Sequence, residues 1–595
     1  MTSLPVRRAF AAGLGVAALT ATLIAGAAPA AATPEPPPTT PVPLQLLAIN
    51  DFHGQLEPPT GSSSRLDGYT ATALGPFGGS EYLATQIKQL EAAAQQPNTL
   101  TVAAGDLIGA SPLISAAYHD EPTIEALNLM GLDFAAVGNH EFDEGVNELL
   151  RMQNGGCLAD DSCPDGEFQG ADWQYLTANS FYTESGETVL PPFAIKKVQG
   201  IKVGFIGMTL EGTPGVVTPT GVAGLSFADE AQTANKYARI LQRAGAEAIV
   251  VLMHEGGAQE APPTGQHIND IDGCKNLTGP VTQIVPQMSE AIDVVITGHT
   301  HNAYNCRQLG DAFLPASSGT GRLVTSASSV GRLVTDIDLT LDPVTGDVLT
   351  ATSDNVPVVR TVARDADQAA LIQRYGTLVA PIRDQVVGTV GSSISFDQEI
   401  LYGSQKGESP MGNFIADGQL AATSAQTGAV AALMNPGGVR ASISDTGEVT
   451  YGEAFAVQPF GNYLTTITLT GVQLQCVLEQ KFVLGTVLQP SATLRYTVDP
   501  TLPVGTSADP CSGSRVIDSS VTINGTAVDA ATPYRITVNN FLADGGDRFS
   551  TLLEGTDRVN IADPEDDLAA LIDYIASQAG RTAPATDRIS VVGQP

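Results

Sequence analysis

Seven side chains with metal-ligand chemistry fall in five short motifs. They are Asp51 and His53 in Asn50-Asp51-Phe52-His53, Asp106 after Gly105, Asn139 in Gly138-Asn139-His140-Glu141, His254, and His299 and His301 in Gly298-His299-Thr300-His301. Imidazole mixed with carboxylate suits borderline divalent ions such as Zn²⁺, Mn²⁺, Fe²⁺ or Co²⁺. Asp51 and His53 are two apart, so an extended backbone would project both to one side to grip one ion, which His301 would complete. Asn139, His254 and His299 would complete the shell of a second ion, and Asp106, with two oxygens, would bridge the pair. Two such ions about 3.5 to 4 Å apart turn a bridging water into hydroxide and clamp both oxygens of an in-line displacement at phosphorus. The chemistry is phosphoester hydrolysis.

His140 is reserved for a second role. Asp143, three residues on, can bond its ring, fix the tautomer and favour the imidazolium, so that the pair stabilises transition-state charge or protonates the leaving alkoxide. A lone His or Asp after a strand is usually a cap or turn group, so the weight rests on the conjunction. Of seven His in the chain, five lie in these motifs. His119 and His267 then read as surface or loop residues, Asp133 and Asp293 as loop or cap groups, and Glu141 and Glu255 as neighbours without a role.

Each motif follows an apolar run: Leu44 to Ile49, Leu100 to Ala104, Phe134 to Val137, Ala248 to Met253 and Ile292 to Thr297. Near-continuous apolar runs suit parallel strands covered on both faces. In an open α/β sheet the ligands would converge beyond the carboxyl ends of the strands, at one sheet edge. Helical stretches at Ser80 to Ala94, Thr123 to Met130, Asp229 to Ala244 and Val281 to Ala291, with a further strand at Gly200 to Met208, give an α/β layered N-terminal domain over 44–360. Residues 361–385 read as a linker helix, with Leu371, Ile372, Tyr375, Leu378, Val379 and Ile382 at helical spacing. From 386 to 595 the pattern becomes mixed α+β, with strands at Leu464 to Leu469, Ala492 to Val498, Val516 to Ile523 and Tyr534 to Val538. Helices are expected there at Met411 to Ala422 and Leu474 to Val483. This half contains no His, so the metal chemistry belongs to the first.

Residues 1–32 carry Arg7 and Arg8, an apolar run and Ala30-Ala31-Ala32, the layout of a secretory signal peptide, and 33–43 is a Pro-rich linker. No later run is long enough to span a membrane, so a secreted, extracellular protein is expected. Six cysteines, without a Cys-x-x-Cys spacing, fit disulfides in an oxidising compartment. Nearest-neighbour pairing is expected, Cys157 with Cys163, Cys274 with Cys306 and Cys476 with Cys511. A formal charge of −34 argues against a nucleic-acid polymer as partner and requires a phosphate substrate to be attracted locally, as by two cations.

Ile49 to Gly54 and Asn128 to Asp143, reading NLMGLDFAAVGNHEFD, resemble the signatures of the secreted and periplasmic 5′-nucleotidases, which are calcineurin-like metallophosphoesterases. The resemblance runs from about Leu44 to Ile589. It implies one metal site at Asp51, His53, Asp106 and His301, a second at Asp106, Asn139, His254 and His299, and a catalytic dyad of His140 and Asp143. It also implies substrate-binding roles for Asn435 and Arg440 in Asn435-Pro436-Gly437-Gly438-Val439-Arg440, for Phe460, and for Phe541 and Asp547 in the segment from Asn540 to Asp547. Phe460 and Phe541 would stack a base, Asp547 would accept from ribose hydroxyls, and Arg440 would pair with phosphate. One departure stands out: before Met411-Gly412-Asn413 only Lys406 is offered where some relatives carry another Arg, and a point charge does not replace a guanidinium fork.

The implied activity is hydrolysis of nucleoside 5′-monophosphates, a small-molecule nucleotide substrate attacked by a metal-bridging hydroxide. The alternatives are a 2′,3′-cyclic nucleotide phosphodiesterase, a hydrolase of nucleotide sugars or of nucleoside di- and triphosphates, and a secreted binding protein with a vestigial site. The resemblance also implies that the domains rotate about 365–385.

Overall fold

Each ligand-bearing strand is mostly apolar because its two faces enter different cores. In the strand Val42–Ile49, Leu44, Leu46 and Ala48 face one core while Leu47 and Ile49 face another. The computed structural model describes residues 39–593 except 67–75, 95, 97, 159–161, 164–165, 262–265, 268–269, 404, 486 and 507–508. The expected signal peptide and the first part of the expected linker lie outside the described residues. The end of that linker is already strand, since Val42 and Pro43 pair with Leu341 and Thr340.

The N-terminal half holds two large sheets. The first runs Val348–Pro357, Leu333–Leu341, Val42–Ile49, Thr99–Ala104, Leu132–Ala136 and Gln174–Leu176, parallel from Val42–Ile49 onward. The second runs Ala312–Pro315, Ala303–Leu309, Arg322–Ala327, Val294–Thr297, Ala248–His254, Ile201–Thr209 and Phe193–Val198, with a parallel centre. Between them lies a core of Leu44, Leu46, Val102, Phe205, Val250 and Ile296, where Phe134 stacks on Phe205 at 4.9 Å. Helices Ser80–Ala94 and Glu121–Met130 cover the outer face of the first sheet through Leu83, Ile87, Ile124 and Leu127. Helix Glu230–Arg243 covers that of the second through Ala234, Ala238 and Leu241.

The four layers correct the expectation of one sheet edge. Three ligand strands belong to the first sheet and two to the second, so the site forms where two sheet edges meet. Periodicity reports that a strand is buried on both faces but not which sheet it joins.

Helix Ala366–Arg383 is capped by Asp365, whose side chain accepts from the N–H groups of Asp367 and Gln368. Its Leu371, Tyr375 and Val379 are buried in the core beneath the first sheet, whereas Leu378 and Ile382 are exposed. Beyond it, a five-stranded sheet runs Gln489–Pro490, Ala431–Met434, Pro533–Asn539, Tyr463–Thr470 and Thr556–Asp566. Helix Gly471–Leu484 packs on one side and helices Pro410–Thr427 and Asp567–Ala576 on the other. Two expected elements are shorter than their apolar runs. The helix after Val281 ends at Ile284 and tightens into a 3₁₀ turn, because Pro286 has no N–H to continue it. The run Val516 to Ile523 is broken into a single bridge from Val516 to Val498 and a short strand at Thr522–Ile523, separated by a 3₁₀ turn at Asp518–Ser520. All three nearest-neighbour disulfides are formed.

Candidate metal centre and active site

The strand ends bring the seven candidate ligands together, but not by extended backbone. Asp51 and His53 both have φ of 49°, Asp106 has 48°, His299 70° and His301 58°. Left-handed φ is uncommon for residues with a Cβ and costs of order 1–3 kcal/mol each, so it persists where the surroundings over-determine it. The left-handed turns wrap the ligands about a point, and the same-side argument from a spacing of two does not apply. Close approach also requires glycine: a Cβ on Gly105 (φ 82°) would lie 2.7 Å from His254 Nδ1, and one on Gly138 would collide with the Asp106 carboxylate.

Two groups result, Asp51 with His53 and His301, and Asp106 with His254 and His299, the ligand atoms within each lying within 4.8 Å of one another. Asp106 also groups with His53 and His140, placing it between the two. The tautomers are set from behind. His53 donates Nδ1–H to Gly109 O at 2.9 Å and His254 donates Nδ1–H to Ala104 O at 2.8 Å, so both turn Nε2 inward. There His53 Nε2 lies 3.0 Å from His301 Nε2, and His254 Nε2 lies 2.9 Å from Asp106 Oδ2 and 3.1 Å from Asn139 Oδ1. Asp51 joins the sheets, its two oxygens each accepting the His299 N–H at 3.0 Å. Inward imidazole nitrogens, carboxylates and an amide oxygen in such proximity fit two neighbouring divalent ions.

The electrostatics favour the ligand-ready form at Asp106, His53 and His299, while at His254 they favour a proton that an ion would have to displace. Burial opposes ionisation of Asp106, but His254 and His140 outweigh it and hold the carboxyl well below its usual range. Burial pushes His53 well below the ordinary imidazole value, and burial together with His254 brings His299 to about 4. For His254 burial works against the charged ring, yet the Asp106 carboxylate prevails and lifts it to about 10.

His140 Nδ1 donates to Asp143 Oδ2 at 2.7 Å, and the His140 N–H donates to Asp106 Oδ1 at 2.9 Å. Burial disfavours a charged His140, but Asp143 and then Asp106 outweigh it and raise its pKa above the ordinary value. From the C-terminal half, Phe460 stacks on His140 with centroids 5.8 Å apart, and the Arg440 guanidinium lies 5.8 Å from the Phe460 centroid. Asn435 donates to Asp547 Oδ2 at 3.1 Å and accepts from Asn539 at 3.0 Å. Both aromatics, Arg440, Asn435, Asp547, the dyad, Asp106, Asn139, His299 and His301 line one cavity of about 540 Å³. Asp51, His53 and His254 lie behind its wall, and Lys406 is exposed and does not line it.

The sequence reading missed several residues. His119 lies in a turn and is part-exposed, as expected, but it also lines the cavity, with Nδ1 2.6 Å from Glu144. It also groups with Glu144 and Glu148, but both Glu148 oxygens are already held by Arg151. The His267 side chain lies outside the described residues. Asp293 sits just before its strand and accepts the Ile249 N–H, as expected of a cap, whereas Asp133 lies within the strand Leu132–Ala136 and accepts the Thr101 N–H of the neighbouring strand. Glu141, given no role, accepts from several backbone amides around the site, and only its place beside Asn139 and His140 could have hinted at this.

Residues 44–303 match the family model of the calcineurin-like phosphoesterases, so fold and site together define a metallophosphoesterase. Residues 386–554 match that of the 5′-nucleotidase C-terminal domain. The chain thus carries, in one polypeptide, domains of the calcineurin-like phosphoesterase and 5′-nucleotidase C-terminal families. It is 32% identical over 541 residues to endonuclease YhcR of Bacillus subtilis, covering 90% of this chain and 40% of that one. It is 29% identical over 564 residues to the cell wall protein Lmo0130 of Listeria monocytogenes, covering 90% of this chain and 67% of that one. Among solved structures, a 5′-nucleotidase precursor from Thermus thermophilus superposes with a TM-score of 0.71 at 26% identity, covering 93% of this chain and all of the other.

Proposed function

We propose that the protein is a secreted, metal-dependent 5′-nucleotidase that hydrolyses nucleoside 5′-monophosphates to nucleoside and phosphate. The observation that carries this reading is the single cavity shared by the His140–Asp143 pair of one half and Arg440, Phe460 and Phe541 of the other. Its volume of about 540 Å³ lies within the range of small-ligand sites. In this reading Asp51, His53, Asp106 and His301 hold one divalent ion, and Asp106, Asn139, His254 and His299 the other. The ions, of Zn, Mn, Co or Fe type, supply water activation and charge neutralisation at phosphorus. Asp143 orients the His140 ring by accepting from Nδ1, so that Nε2 can give a proton to the departing alkoxide. Arg440 brings a fixed positive charge to the phosphate. Phe460 and Phe541 supply apolar faces for the base, and Asp547 accepts from the ribose.

The proposed organisation is a signal peptide at 1–32, a metallophosphoesterase domain at 44–360, a linker helix at 361–385 and a nucleotide-binding domain at 386–595. Secretion is supported by three disulfides, by the cell-wall relative, and by the lack, among the described residues, of any helix long and apolar enough to cross a membrane. The likeness to an endonuclease covers only 40% of that protein, and a charge of −34 speaks against a polyanionic substrate.

The test is phosphate release by the metal-loaded mature protein across AMP, UMP, ATP, UDP-glucose, 2′,3′-cyclic AMP and a small aryl phosphate, before and after chelation. Metal-restored activity favouring the monophosphates is expected. Activity confined to cyclic or aryl esters overturns the substrate assignment.

A further inference from the structure

The loop from Asp106 to Gly109 presents four successive backbone N–H groups, and two carboxylates take all of them. Glu141 Oε2 accepts from Asp106 N at 3.0 Å, and its Oε1 accepts from Leu107 N at 2.8 Å and Ile108 N at 3.4 Å. Asp120 Oδ2 accepts from Gly109 N at 3.0 Å, while its Oδ1 accepts from Ser115 Oγ at 2.6 Å. Glu141 Oε2 reaches a second loop as well, accepting from Gly138 N at 2.5 Å, and the Tyr175 hydroxyl lies 3.3 Å from Oε1. Both acids are buried, Glu141 at 2% and Asp120 at 7% exposure. Neither belongs to the grouped candidate ligands of the two-ion centre.

A run of convergent backbone N–H groups is an anion-binding concavity. Here the chain fills it with its own buried carboxyl groups. What they hold is specific: residue 106 carries the carboxylate shared by both ligand groups, the Gly109 carbonyl accepts from His53 Nδ1, and Gly138 precedes Asn139 and His140. We propose that Glu141 and Asp120 are positioning residues for the two-cation centre, clamping the 106–109 loop so that the Asp106 carboxylate and the His53 ring meet the ions at fixed angles. Partners of this kind, one step behind the ligands, are commonly worth about 10- to 100-fold in metal affinity. The inference rests on the metal centre and is independent of which phosphoester is cleaved.

Glu141→Gln and Asp120→Asn in the full mature chain test it, with two substrate-free readouts. These are Mn²⁺ affinity by titration and amide hydrogen exchange of the metal-free protein. Glu141→Gln turns an amide NH₂ toward backbone donors. It is expected to weaken Mn²⁺ binding about 10- to 100-fold and to lose protection at 106–108 and 138, with the remaining core amides unchanged. Asp120→Asn should lose protection at Gly109 and weaken the ion that His53 faces. A merely structural role would lower the unfolding temperature but leave Mn²⁺ affinity of the folded protein intact, and that result overturns the proposal. Should Glu141→Gln fail to fold, Asp120→Asn decides by the same readouts: unchanged affinity and protection overturn it. Failure to cleave nucleotides would move neither readout.

Discussion

The imidazole of His140 and the phenyl ring of Phe460 lie face to face, centroids 5.8 Å apart and planes within 20°, although they come from opposite halves of the chain. The residue that completes the acid–base pair is thus covered by one that the proposed function assigns to the base.

This contact predicts a split in kinetics for Phe460→Ala. Stacking on an aromatic is worth about 1–3 kcal/mol per base, so KM for AMP should rise roughly tenfold or more. A small alkyl phosphate, which has no ring to stack, should be much less affected. Steady-state kinetics on both substrates checks this, and an equal loss on both would remove base stacking from the account.

Asp143→Asn keeps the shape but offers an amide in place of the acceptor 2.7 Å from His140 Nδ1. The ring then loses its orienting partner and the charge that raises its pKa. We expect kcat to fall by about a hundredfold or more with little change in KM and no change in bound metal. Elemental analysis beside the kinetics separates this outcome from a damaged metal centre.

Asp106 sits between both ligand groups, so Asp106→Ala should empty the centre rather than half of it. Bound divalent metal is expected to fall from about two equivalents to well under one. Retention of one full equivalent would show that Asp106 serves a single ion.

Lys481 is fully buried in the C-terminal half, its Nζ 2.9 Å from the Tyr496 hydroxyl. Burial pushes it down to about 7, only partly offset by Glu408 and Glu479. A lysine whose folded pKa lies below its unfolded value of about 10.4 costs stability wherever the unfolded chain is the better proton binder. The cost is therefore full below about pH 7 and vanishes as pH rises through 10.4. Urea melts of wild type and Lys481→Met should show the variant's relative advantage shrinking from pH 6 to pH 10, by on the order of a few kcal/mol. A constant difference across that range would place the charge elsewhere.

Much of this protein is readable along the chain. The ligand types sit after apolar runs, and those runs are strands: Ala248 to Met253 is buried at every position, and helix Ser80–Ala94 has the expected bounds. Local patterns suffice there because side-chain period, caps and turn residues act between neighbours. The same holds for the disulfides, where short separations favoured nearest-neighbour pairing.

What required the folded molecule is non-local. Two sheets, not one, deliver the ligands, because burial on both faces looks alike in either sheet. The left-handed turns at Asp51, His53, Asp106, His299 and His301 carry no composition signal, since they are imposed by contacts such as Asp51 with the His299 N–H. The amide clamp of Glu141, the place of His119 in the cavity wall and the stacking of Phe460 on His140 each join residues that are remote in sequence or belong to different motifs. Such partners are chosen by packing, which sequence spacing does not encode.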